Sequence, residues 1–398
     1  MLKDKKILLG ISGGIAAYKI PLLVRMLRKS SAEVKVVLTP NAQHFVTPLV
    51  LETLSNNAVY TDVFAHENNR NTEHISITDW ADMMLVAPAT ADVLAKMAYG
   101  IADDALTTTF CAFDKPVLIA PAMNSKMLAH PATQEAMKRL DSFENVTMLP
   151  CAEGELACGS EGKGRMIEVE DLYFAIQKAL EIQSLQGKKI LITAGATQEE
   201  IDPVRYISNH STGKMGYALA KVCALKGADV TLVSGPSQCS LCSLACVDLQ
   251  KVKSADEMYE AVEKRWSDMD VVIFCAAVAD YMPLKKEEQK IKKTGENWSL
   301  DLVKTSDIAS KFGKQKRENQ LFIGFALETE NEEENAVKKL KDKNLDYIVL
   351  NSLQDKGSGF GGDTNKVTIF AKNGDSKHFD LLSKEDVAKE IIMYTMAC

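Results

Sequence analysis

Glycine stands beside hydroxyl residues at two places in the chain, and both patterns are typical of phosphate binding. The first, GISGGI at residues 10–15, follows a strand-like run and precedes a helical stretch, so backbone N–H groups converge there. It lacks the spacing G-x-G-x-x-G, and the second strand-like run ends at Thr39 without the acidic residue that binds an adenosine ribose. The pattern therefore favours a mononucleotide over NAD, with a tight turn that binds nothing as the alternative.

Small and polar residues also occupy later segments of the first half. We predict that residues 87–92, 102–109 and 121–127 each follow a strand. Because the carboxyl ends of parallel strands converge in a doubly wound sheet, we expect these segments to surround one pocket. The candidate cofactor-binding residues at this edge are Gly10, Ser12, Gly13, Gly14, Thr39, Ala87 and Thr90.

A cysteine and a histidine in the first half are candidates for acid–base chemistry. Cys158 lies in the glycine-rich segment ACGSEGKGRM at residues 157–166, which has the composition of a mobile lid. A buried structural cysteine would rarely stand among three glycines. His74 adjoins Ile75, and a single histidine beside apolar residues is more often structural, so its assignment depends on the surrounding segments.

The second half contains its own phosphate-binding pattern. Residues 207–216, ISNHSTGKMG, place Ser211, Thr212, Gly213 and Lys214 at the start of a predicted helix. Their backbone N–H groups, hydroxyls and ammonium group suit a polyphosphate, although an ordinary helix N-cap would show the same residues. The match to the Walker spacing is only loose.

A second set of candidates follows the central strand of this half. Residues 276–281 read AAVADY, and the lysine run KIKK at residues 290–293 begins ten residues after Asp280. A run of like charges is usually a solvated surface. Here the run follows a candidate phosphate site, which favours a role in binding.

Two successive series of α/β elements must position these residues. We predict buried strands in the first half over residues 6–9, 34–38, 83–87 and 117–120, and in the second half over residues 190–193, 230–233, 271–274, 322–325 and 347–350. The apolar periodicity breaks at residues 184–188. We therefore predict two doubly wound, Rossmann-like α/β domains, a flavodoxin-like domain over residues 1–185 and a nucleotide-binding domain over residues 186–398.

Composition narrows the classes of partner. The chain has 398 residues and a formal net charge of -7, which disfavours nucleic acid and anionic membranes and favours small molecules. Its longest apolar run is too short to span a bilayer, and we expect a cytoplasmic protein with reduced thiols. Cys239, Cys242 and Cys246 have the spacing C-x2-C-x3-C, but without an evident fourth ligand this spacing does not predict a metal site.

The first half resembles the phosphopantothenoylcysteine decarboxylases of the homo-oligomeric flavin-containing cysteine decarboxylase family. The resemblance is carried by His74, the segment PAMN at residues 121–124 and the glycine-rich segment around Cys158. It implies FMN as cofactor, His74 as active-site base, Asn124 as the residue that holds the substrate carboxylate, and Cys158 as a late proton donor.

The second half resembles phosphopantothenate-cysteine ligase, most specifically over residues 201–216. The resemblance implies CTP as co-substrate, Asn209 acting on an acyl-cytidylate, Lys290 as a catalytic residue, and Asp280 as a residue that holds Mg²⁺. The implied substrate and CTP contacts are Ser211, Thr212, Gly213, Lys214, Ala276, Asp280, Thr305, Ser306, Asp307, Ile308, Phe325, Lys339 and Lys343.

The order of the two halves is that of the bifunctional bacterial enzymes of coenzyme A biosynthesis. The resemblance implies that 4'-phosphopantothenate is joined to cysteine and the conjugate is then decarboxylated. It also implies flavin-domain trimers and ligase-domain dimers, compatible with a dodecamer. Two alternatives remain: a regulatory flavoprotein that has lost catalysis, which the presence of His74, Asn124 and Cys158 disfavours, and a flavin half with another thiol substrate.

Overall fold

The computed structural model describes residues 2–63, 73–155, 161–292, 298–352 and 361–396. They form two compact units, Met1–Glu181 and Ile182–Cys398. Each unit has a mainly parallel sheet with helices between its strands, so the predicted pair of doubly wound α/β domains is confirmed. No helix within the described ranges is long and apolar enough to cross a membrane.

The N-terminal unit alternates strands and helices along the chain. Its strands are β1 (Lys6–Ile11), β2 (Glu33–Leu38), β3 (Val59–Tyr60), β4 (Met83–Ala89), β5 (Val117–Pro121), β6 (Val146–Met148), β7 (Cys151–Glu155) and β8 (Glu161–Met166). Its helices are α1 (Ile20–Lys29), α2 (Pro48–Ser55), α3 (Glu73–Trp80), α4 (Ala91–Tyr99), α5 (Ala105–Cys111), α6 (Ser125–Leu128), α7 (Pro131–Asp141) and α8 (Val169–Leu180).

The main sheet of this unit is parallel and has the order β3-β2-β1-β4-β5-β6. This 3-2-1-4-5-6 order is that of the dinucleotide-binding fold and differs from the 2-1-3-4-5 order of flavodoxin. The order reverses between β1 and β4, so the carboxyl ends of these two strands flank the crevice where such folds bind ligands. Strands β7 and β8 form a separate antiparallel hairpin.

The apolar patterns explain these elements. Strand β4 is buried along its whole length, as expected for a parallel strand covered on both faces. In α1, Ile20, Leu23, Val24 and Leu27 are buried at the spacing i, i+3, i+4, i+7, which gives one apolar face towards the sheet. The four strands predicted in this half correspond to β1, β2, β4 and β5 and are confirmed.

The C-terminal unit repeats the alternation and adds antiparallel strands. Its strands are β9 (Lys189–Ala194), β10 (Gln198–Glu200), β11 (Tyr206–Ser208), β12 (Asp229–Ser234), β13 (Asp248–Lys251), β14 (Val271–Phe274), β15 (Tyr281–Pro283), β16 (Leu302–Lys304), β17 (Leu321–Glu328), β18 (Tyr347–Ser352), β19 (Thr364–Asn365), β20 (Val367–Ala371), β21 (Ser376–His378) and β22 (Leu382–Ser383). Its helices are α9 (Lys214–Leu225), α10 (Ala255–Glu263), α11 (Ile308–Gly313), α12 (Glu332–Asp342) and α13 (Lys384–Thr395).

The large sheet of this unit has the order β13-β12-β9-β14-β17-β18-β20-β21. The strands from β13 to β18 are parallel, whereas β20 and β21 are antiparallel to their neighbours. Counted from β9, the parallel part again has the 3-2-1-4-5-6 order, and its crevice lies between β9 and β14. The five strands predicted in this half are confirmed as β9, β12, β14, β17 and β18.

Candidate active sites

The crevice of the N-terminal unit is built from hydroxyl side chains at the ends of β1 and β4. Ser12 is buried, and its Oγ donates a hydrogen bond to the Pro88 carbonyl oxygen at 2.7 Å and accepts one from the Thr90 N–H at 3.0 Å. On the other side of β1, Thr39 directly follows β2, and its Oγ1 accepts a hydrogen bond from the Ala42 N–H at 3.3 Å. The three hydroxyl residues therefore lie at one edge of the sheet.

Glycine at position 13 is required by a close approach between two loops. A Cβ atom there would lie 2.5 Å from the Asn41 Cβ and 3.0 Å from the Asn41 backbone. Gly10, by contrast, lies inside β1, where a Cβ would meet the Leu106 side chain at 2.4 Å. Gly10 is thus needed for packing α5 against the sheet. The loop enters a 3-10 helix at residues 15–19 before α1 begins, so the predicted helical stretch after the turn is confirmed, with its first turn in 3-10 form.

Asn124 is fixed at the end of β5 as the N-cap of α6. Its Oδ1 accepts a hydrogen bond from the Lys126 N–H at 2.9 Å, which turns the Nδ2 donor end of the amide away from the helix. The β7–β8 hairpin lies directly on this segment, because the Met123 N–H donates to the Gly164 carbonyl oxygen at 2.9 Å. A Cβ atom at Gly164 would come within 2.2 Å of the Met123 carbonyl oxygen, and its φ is +139°.

A Gly164→Ala variant is therefore expected to separate the hairpin from the Asn124 segment. Backbone cannot move aside as a side chain can, and the positive φ adds strain for any residue with a Cβ. We expect the reaction of the N-terminal unit to slow by about 10-fold or more, in line with the cost of misplacing a binding group, while that of the C-terminal unit is unchanged. Gly162→Ala is the matched control, since its Cβ would meet only the Ser125 side chain at 3.3 Å. Equal loss in both variants would contradict this account.

The other predicted residues of this half have mixed outcomes. His74 is the second residue of α3 and is half-buried. Cys158 lies outside the described residues, so its role stays a prediction. Residues 102–109 follow helix α4 and not a strand, which corrects that prediction; Asp104 and Thr107 form a capping box that starts α5. Ala87 is buried within β4.

The crevice of the C-terminal unit is a cavity of about 770 Å³ at the ends of β9, β14 and β17. It gathers residues from six separate segments of the chain. The predicted residues that line it are Asn209, Ala276, Asp280, Thr305, Ser306, Asp307, Ile308, Phe325, Lys339 and Lys343.

Threonine hydroxyls hold the wall of this cavity, a role that the sequence analysis missed. Thr193 Oγ1, at the end of β9, accepts hydrogen bonds from the N–H groups of Cys275 and Ala276, both at 3.2 Å. Thr305 Oγ1 donates to the Ala279 carbonyl oxygen at 2.5 Å. Threonine placed directly at the end of a predicted strand is the signal that could have indicated this role. The backbone of residues 275–280 is thereby held at the cavity.

The lysines of this cavity are paired with acids. Lys343 Nζ lies 3.0 Å from an Asp307 carboxylate oxygen, and Lys339 Nζ lies 2.6 Å from Glu328 Oε1. Asp307 also caps α11 by accepting a hydrogen bond from the Ser310 N–H at 2.9 Å. Both ammonium groups therefore lie at the cavity with carboxylate partners that a stronger anion can replace.

The predicted phosphate loop lines a smaller cavity of about 170 Å³, formed partly by Ser211, Thr212, Gly213 and Lys214. Gly213 is the N-cap of α9 with φ of +84°. A Cβ atom at Gly216 would lie 2.5 Å from the Ala194 Cβ, so this glycine allows α9 to pack closely on β9. The small and large cavities share part of their lining, namely Ala276, Ala277, Phe325, Ala326 and Leu327.

Lys290 is exposed and does not line either cavity. Its neighbour Ile291 is held at both backbone atoms: the N–H donates to Asp202 Oδ2 at 3.1 Å, and the carbonyl oxygen accepts from Arg205 Nη2 at 3.0 Å. Asp202 and Arg205 also form an ion pair with each other, and the Arg205 guanidinium holds the pKa of Asp202 well below its usual range. The backbone next to Lys290 is therefore held in place by Asp202 and Arg205.

One residue of the cysteine-rich segment, Cys239, contacts the phosphate loop. Cys239 Sγ lies 3.6 Å from the Thr212 carbonyl oxygen, whereas Cys246 is exposed. Within the described ranges there is no group of three His, Cys, Asp or Glu side chains that could hold a metal ion. Asp280 and Asp307 are the carboxylates among the described residues that line the large cavity.

Two family models match the chain. Residues 1–181 match the Flavoprotein family, and residues 185–397 match the DNA/pantothenate metabolism flavoprotein C-terminal domain. The chain is 45% identical over 395 residues to the coenzyme A biosynthesis bifunctional protein CoaBC of Bacillus subtilis strain 168, covering 98% of this chain and 97% of the relative.

Two further comparisons cover parts of the chain. A cysteine/cysteine sulfinic acid decarboxylase from an unknown prokaryotic organism is 46% identical over 352 residues, covering 87% of this chain and 98% of the relative. The solved C-terminal domain of a coenzyme A biosynthesis bifunctional protein CoaBC is 44% identical with a TM-score of 0.46, covering 53% of this chain and 95% of that chain.

The near-complete match to bifunctional relatives agrees with one ligand crevice in each of the two units. The chain therefore belongs to the CoaBC family of coenzyme A biosynthesis and is a flavoprotein decarboxylase and a ligase in one polypeptide.

Proposed function

We propose that the C-terminal unit activates the carboxylate of 4'-phosphopantothenate with CTP and joins it to cysteine, and that the N-terminal unit then decarboxylates the conjugate to 4'-phosphopantetheine. The observation that carries the ligase assignment is the cavity of about 770 Å³, which brings together ten of the predicted residues. It lies at the point where the strand order reverses, the place at which doubly wound folds bind nucleotides.

The charges of this cavity suit a triphosphate. A carboxylate is a poor acyl donor. Its attack on the α-phosphate of CTP releases pyrophosphate and gives a mixed anhydride, from which the amine of cysteine displaces CMP. Lys339 and Lys343 can exchange Glu328 and Asp307 for phosphate oxygens, which bind lysine strongly. Mg²⁺ would neutralise the triphosphate, with Asp280 as a protein ligand and phosphate oxygens and water as the others, since Mg²⁺ commonly binds in this way.

Asn209 is positioned to act on the acyl-cytidylate, which is the product of the first half-reaction and the substrate of the second. Its Nδ2 donates to the carbonyl oxygens of Ala277 at 3.0 Å and Val278 at 3.3 Å, which fixes the plane of the amide. The amide oxygen then lies on the opposite side, where it can accept a hydrogen bond from the amine of cysteine as the amine approaches the acyl-cytidylate. Lys290 would neutralise phosphate charge when its segment lies over the nucleotide.

The N-terminal crevice fits the phosphate end of FMN. The turn at Gly13 brings backbone to within van der Waals contact of Asn41, and Ser12, Thr39 and Thr90 place hydroxyl groups at the same edge. Bound FMN would supply the hydride acceptor and donor that a cysteine carboxylate needs, because its decarboxylation otherwise leaves a carbanion without an electron sink. We assign His74 as the base, the Asn124 amide as the group that holds the carboxylate, and Cys158 as the proton donor.

The surface of the N-terminal unit carries exposed apolar side chains that would fit contacts in a homo-oligomer. Ile15, Tyr18, Leu22 and Leu49 are 57%, 60%, 58% and 71% exposed, and apolar residues exposed to this extent are typical of contacts between subunits. We propose that a second copy brings His74 and Asn124 to one site, as in the trimers that the family resemblance implies. Ligase dimers would then complete a dodecamer.

Nucleotide activation is tested without cysteine. With 4'-phosphopantothenate, Mg²⁺ and CTP, the full chain is expected to release pyrophosphate and to form an acyl-cytidylate detectable by mass. A Lys339→Met variant, which loses one phosphate ligand, is expected to raise the KM for CTP by about 10-fold or more. Lys338→Met, on the same helix, is the matched control. Pyrophosphate release from ATP and not from CTP would contradict the assignment of the nucleotide.

A second thiol substrate for the flavin half is the remaining alternative, and the relative named as a cysteine/cysteine sulfinic acid decarboxylase supports testing it. Carbon dioxide release from free cysteine at a rate equal to that from 4'-phosphopantothenoylcysteine would favour that alternative. We expect release from the conjugate alone.

A further inference from the structure

Helix α3, which carries the assigned base His74, has a sequence that forms a helix only weakly on its own. It has eight residues, Glu73–Trp80, whereas an isolated helix needs roughly 12 or more to be stable in water. Its β-branched residues Ile75, Ile77 and Thr78 lower its helix propensity further. The position of His74 therefore depends on the contacts that hold α3 to the rest of the unit.

The C-terminal end of α3 is bound by one ammonium group. Lys115 Nζ donates hydrogen bonds to the carbonyl oxygens of Thr78 at 3.1 Å, Asp79 at 2.8 Å and Ala81 at 2.6 Å. Carbonyl groups in the last turn of a helix lack partners within the helix, and a positive charge there is also stabilised by the helix dipole. A lysine ammonium has three N–H donors, so it matches these three acceptors. Lys115 is thus a C-terminal cap supplied from a distant part of the chain.

The backbone that carries Lys115 is itself held in place. The Lys115 carbonyl oxygen accepts a hydrogen bond from Asn145 Nδ2 at 3.0 Å, and the carbonyl oxygen of the next residue, Pro116, accepts one from the Met84 N–H at 2.9 Å. Strand β5 begins directly after Pro116. The Lys115 side chain therefore connects α3 to backbone that is hydrogen-bonded to the central sheet.

The two ends of α3 lie at opposite edges of the sheet. Asp82, just after the helix, pairs with Lys6, the first residue of β1: the Asp82 N–H donates to the Lys6 carbonyl oxygen and the Lys6 N–H to Asp82 Oδ2, both at 2.8 Å. The capped end is therefore at the amino edge. Because α3 lies in the chain between the parallel strands β3 and β4, it runs back along the sheet and starts at the carboxyl edge, where the crevice lies. About 10 Å of helix, at 1.5 Å per residue, separates His74 from the cap.

We propose that Lys115 is a positioning residue for His74, and that its cap on α3 keeps the imidazole within reach of the proton that His74 removes. This inference rests on the proposed function of the N-terminal unit, in which His74 is the base. A base acts only within hydrogen-bond reach of its proton, so a small tilt of α3 slows the first oxidation. Asn124 is held at the end of β5 and not by α3, so binding of the substrate carboxylate does not depend on the cap.

Steady-state carbon dioxide release from 4'-phosphopantothenoylcysteine tests the inference in the full chain supplied with FMN. Lys115→Met keeps the apolar length of the side chain and removes its three hydrogen bonds, so kcat is expected to fall by about 10- to 100-fold, the cost of a misplaced reacting group. The KM for the conjugate should stay within about 2-fold of wild type, because a change in kcat alone marks an interaction that does not serve ground-state binding. Lys115→Arg keeps a cation with several N–H donors and should restore most of kcat.

Amide hydrogen exchange on the same proteins separates positioning from a general loss of stability. Peptides covering residues 73–82 should exchange faster in Lys115→Met than in wild type, whereas peptides from β5 should not. Lys138→Met, at an exposed position of α7, is the matched control and should change neither exchange nor kcat. Unchanged exchange over residues 73–82, an unchanged kcat, or a rise in KM in place of the fall in kcat would overturn the positioning role. If the wild type itself releases no carbon dioxide from the conjugate, the proposed function fails first, and the role of Lys115 falls with it.

Discussion

Replacing Asn209 with alanine is expected to leave pyrophosphate release from CTP intact while slowing amide formation by about 100-fold or more. The side chain contacts backbone carbonyls at the wall of the nucleotide cavity, so its loss does not remove a phosphate ligand. What is lost is the group that orients the amine towards the acyl-cytidylate, and misplacement of a reacting group costs about this factor. Quenched-flow mass analysis should show the acyl-cytidylate accumulating.

Two further variants sharpen this result. Asn209→Asp keeps an acceptor oxygen but cannot donate to the Ala277 and Val278 carbonyls, so it should also accumulate the acyl-cytidylate. Tyr206→Phe, on a neighbouring cavity wall, is the control and should behave as wild type. An Asn209→Ala protein that fails to release pyrophosphate would place Asn209 in the activation step and contradict its assignment to amide formation.

In the decarboxylase, His74→Asn and Cys158→Ser are expected to stop the reaction at different stages. His74 is assigned as the base of the first oxidation, so its loss should prevent carbon dioxide release altogether. Cys158 is assigned as the donor of the last proton, so Cys158→Ser should still release carbon dioxide in a single anaerobic turnover. The unsaturated enethiol should then accumulate in place of the saturated thiol, because a serine hydroxyl is a far weaker acid than a thiol.

A covalent role for Cys158 predicts the opposite result for carbon dioxide release by the Cys158→Ser variant. If the thiolate attacked the substrate, a neutral hydroxyl could not replace it, and the Cys158→Ser variant would release no carbon dioxide despite binding the substrate. Measurement of carbon dioxide and of product mass in the same single turnover distinguishes the two roles. Release of carbon dioxide by the His74→Asn variant at the wild-type rate would remove His74 from the mechanism.

The strands could be predicted because each buried strand is a short run of apolar residues that is visible in the sequence itself. Runs such as Val271–Phe274 are apolar throughout, which is what burial on both faces of a parallel sheet requires. A helix does begin directly after Gly14, but the sequence did not show that its first turn, residues 15–19, is a 3-10 helix. Residues 102–109 were misplaced because capping residues such as Asp104 resemble loop residues that follow a strand.

Residues of the candidate sites could be predicted from the sequence only where they belong to a short motif. The ten predicted residues at the nucleotide cavity come from motif segments, and the structure brings them together. Lys384, which lines the small cavity, belongs to no motif, and its burial depends on how α13 packs against α9, which sequence periodicity does not show. Gly10 looked like part of the phosphate turn, but its role follows from a contact with Leu106 that is distant in sequence.

The central claim, that one chain runs both reactions at separate sites, is tested most directly by a single incubation. The full chain, supplied with FMN, is given 4'-phosphopantothenate, cysteine, CTP and Mg²⁺, and products are followed by mass. We predict conversion to 4'-phosphopantetheine with equal amounts of CMP, pyrophosphate and carbon dioxide. Asn209→Ala should stop before the conjugate, and His74→Asn should accumulate the conjugate. Formation of 4'-phosphopantetheine by either variant at the wild-type rate, or its absence with the wild type, would contradict the account.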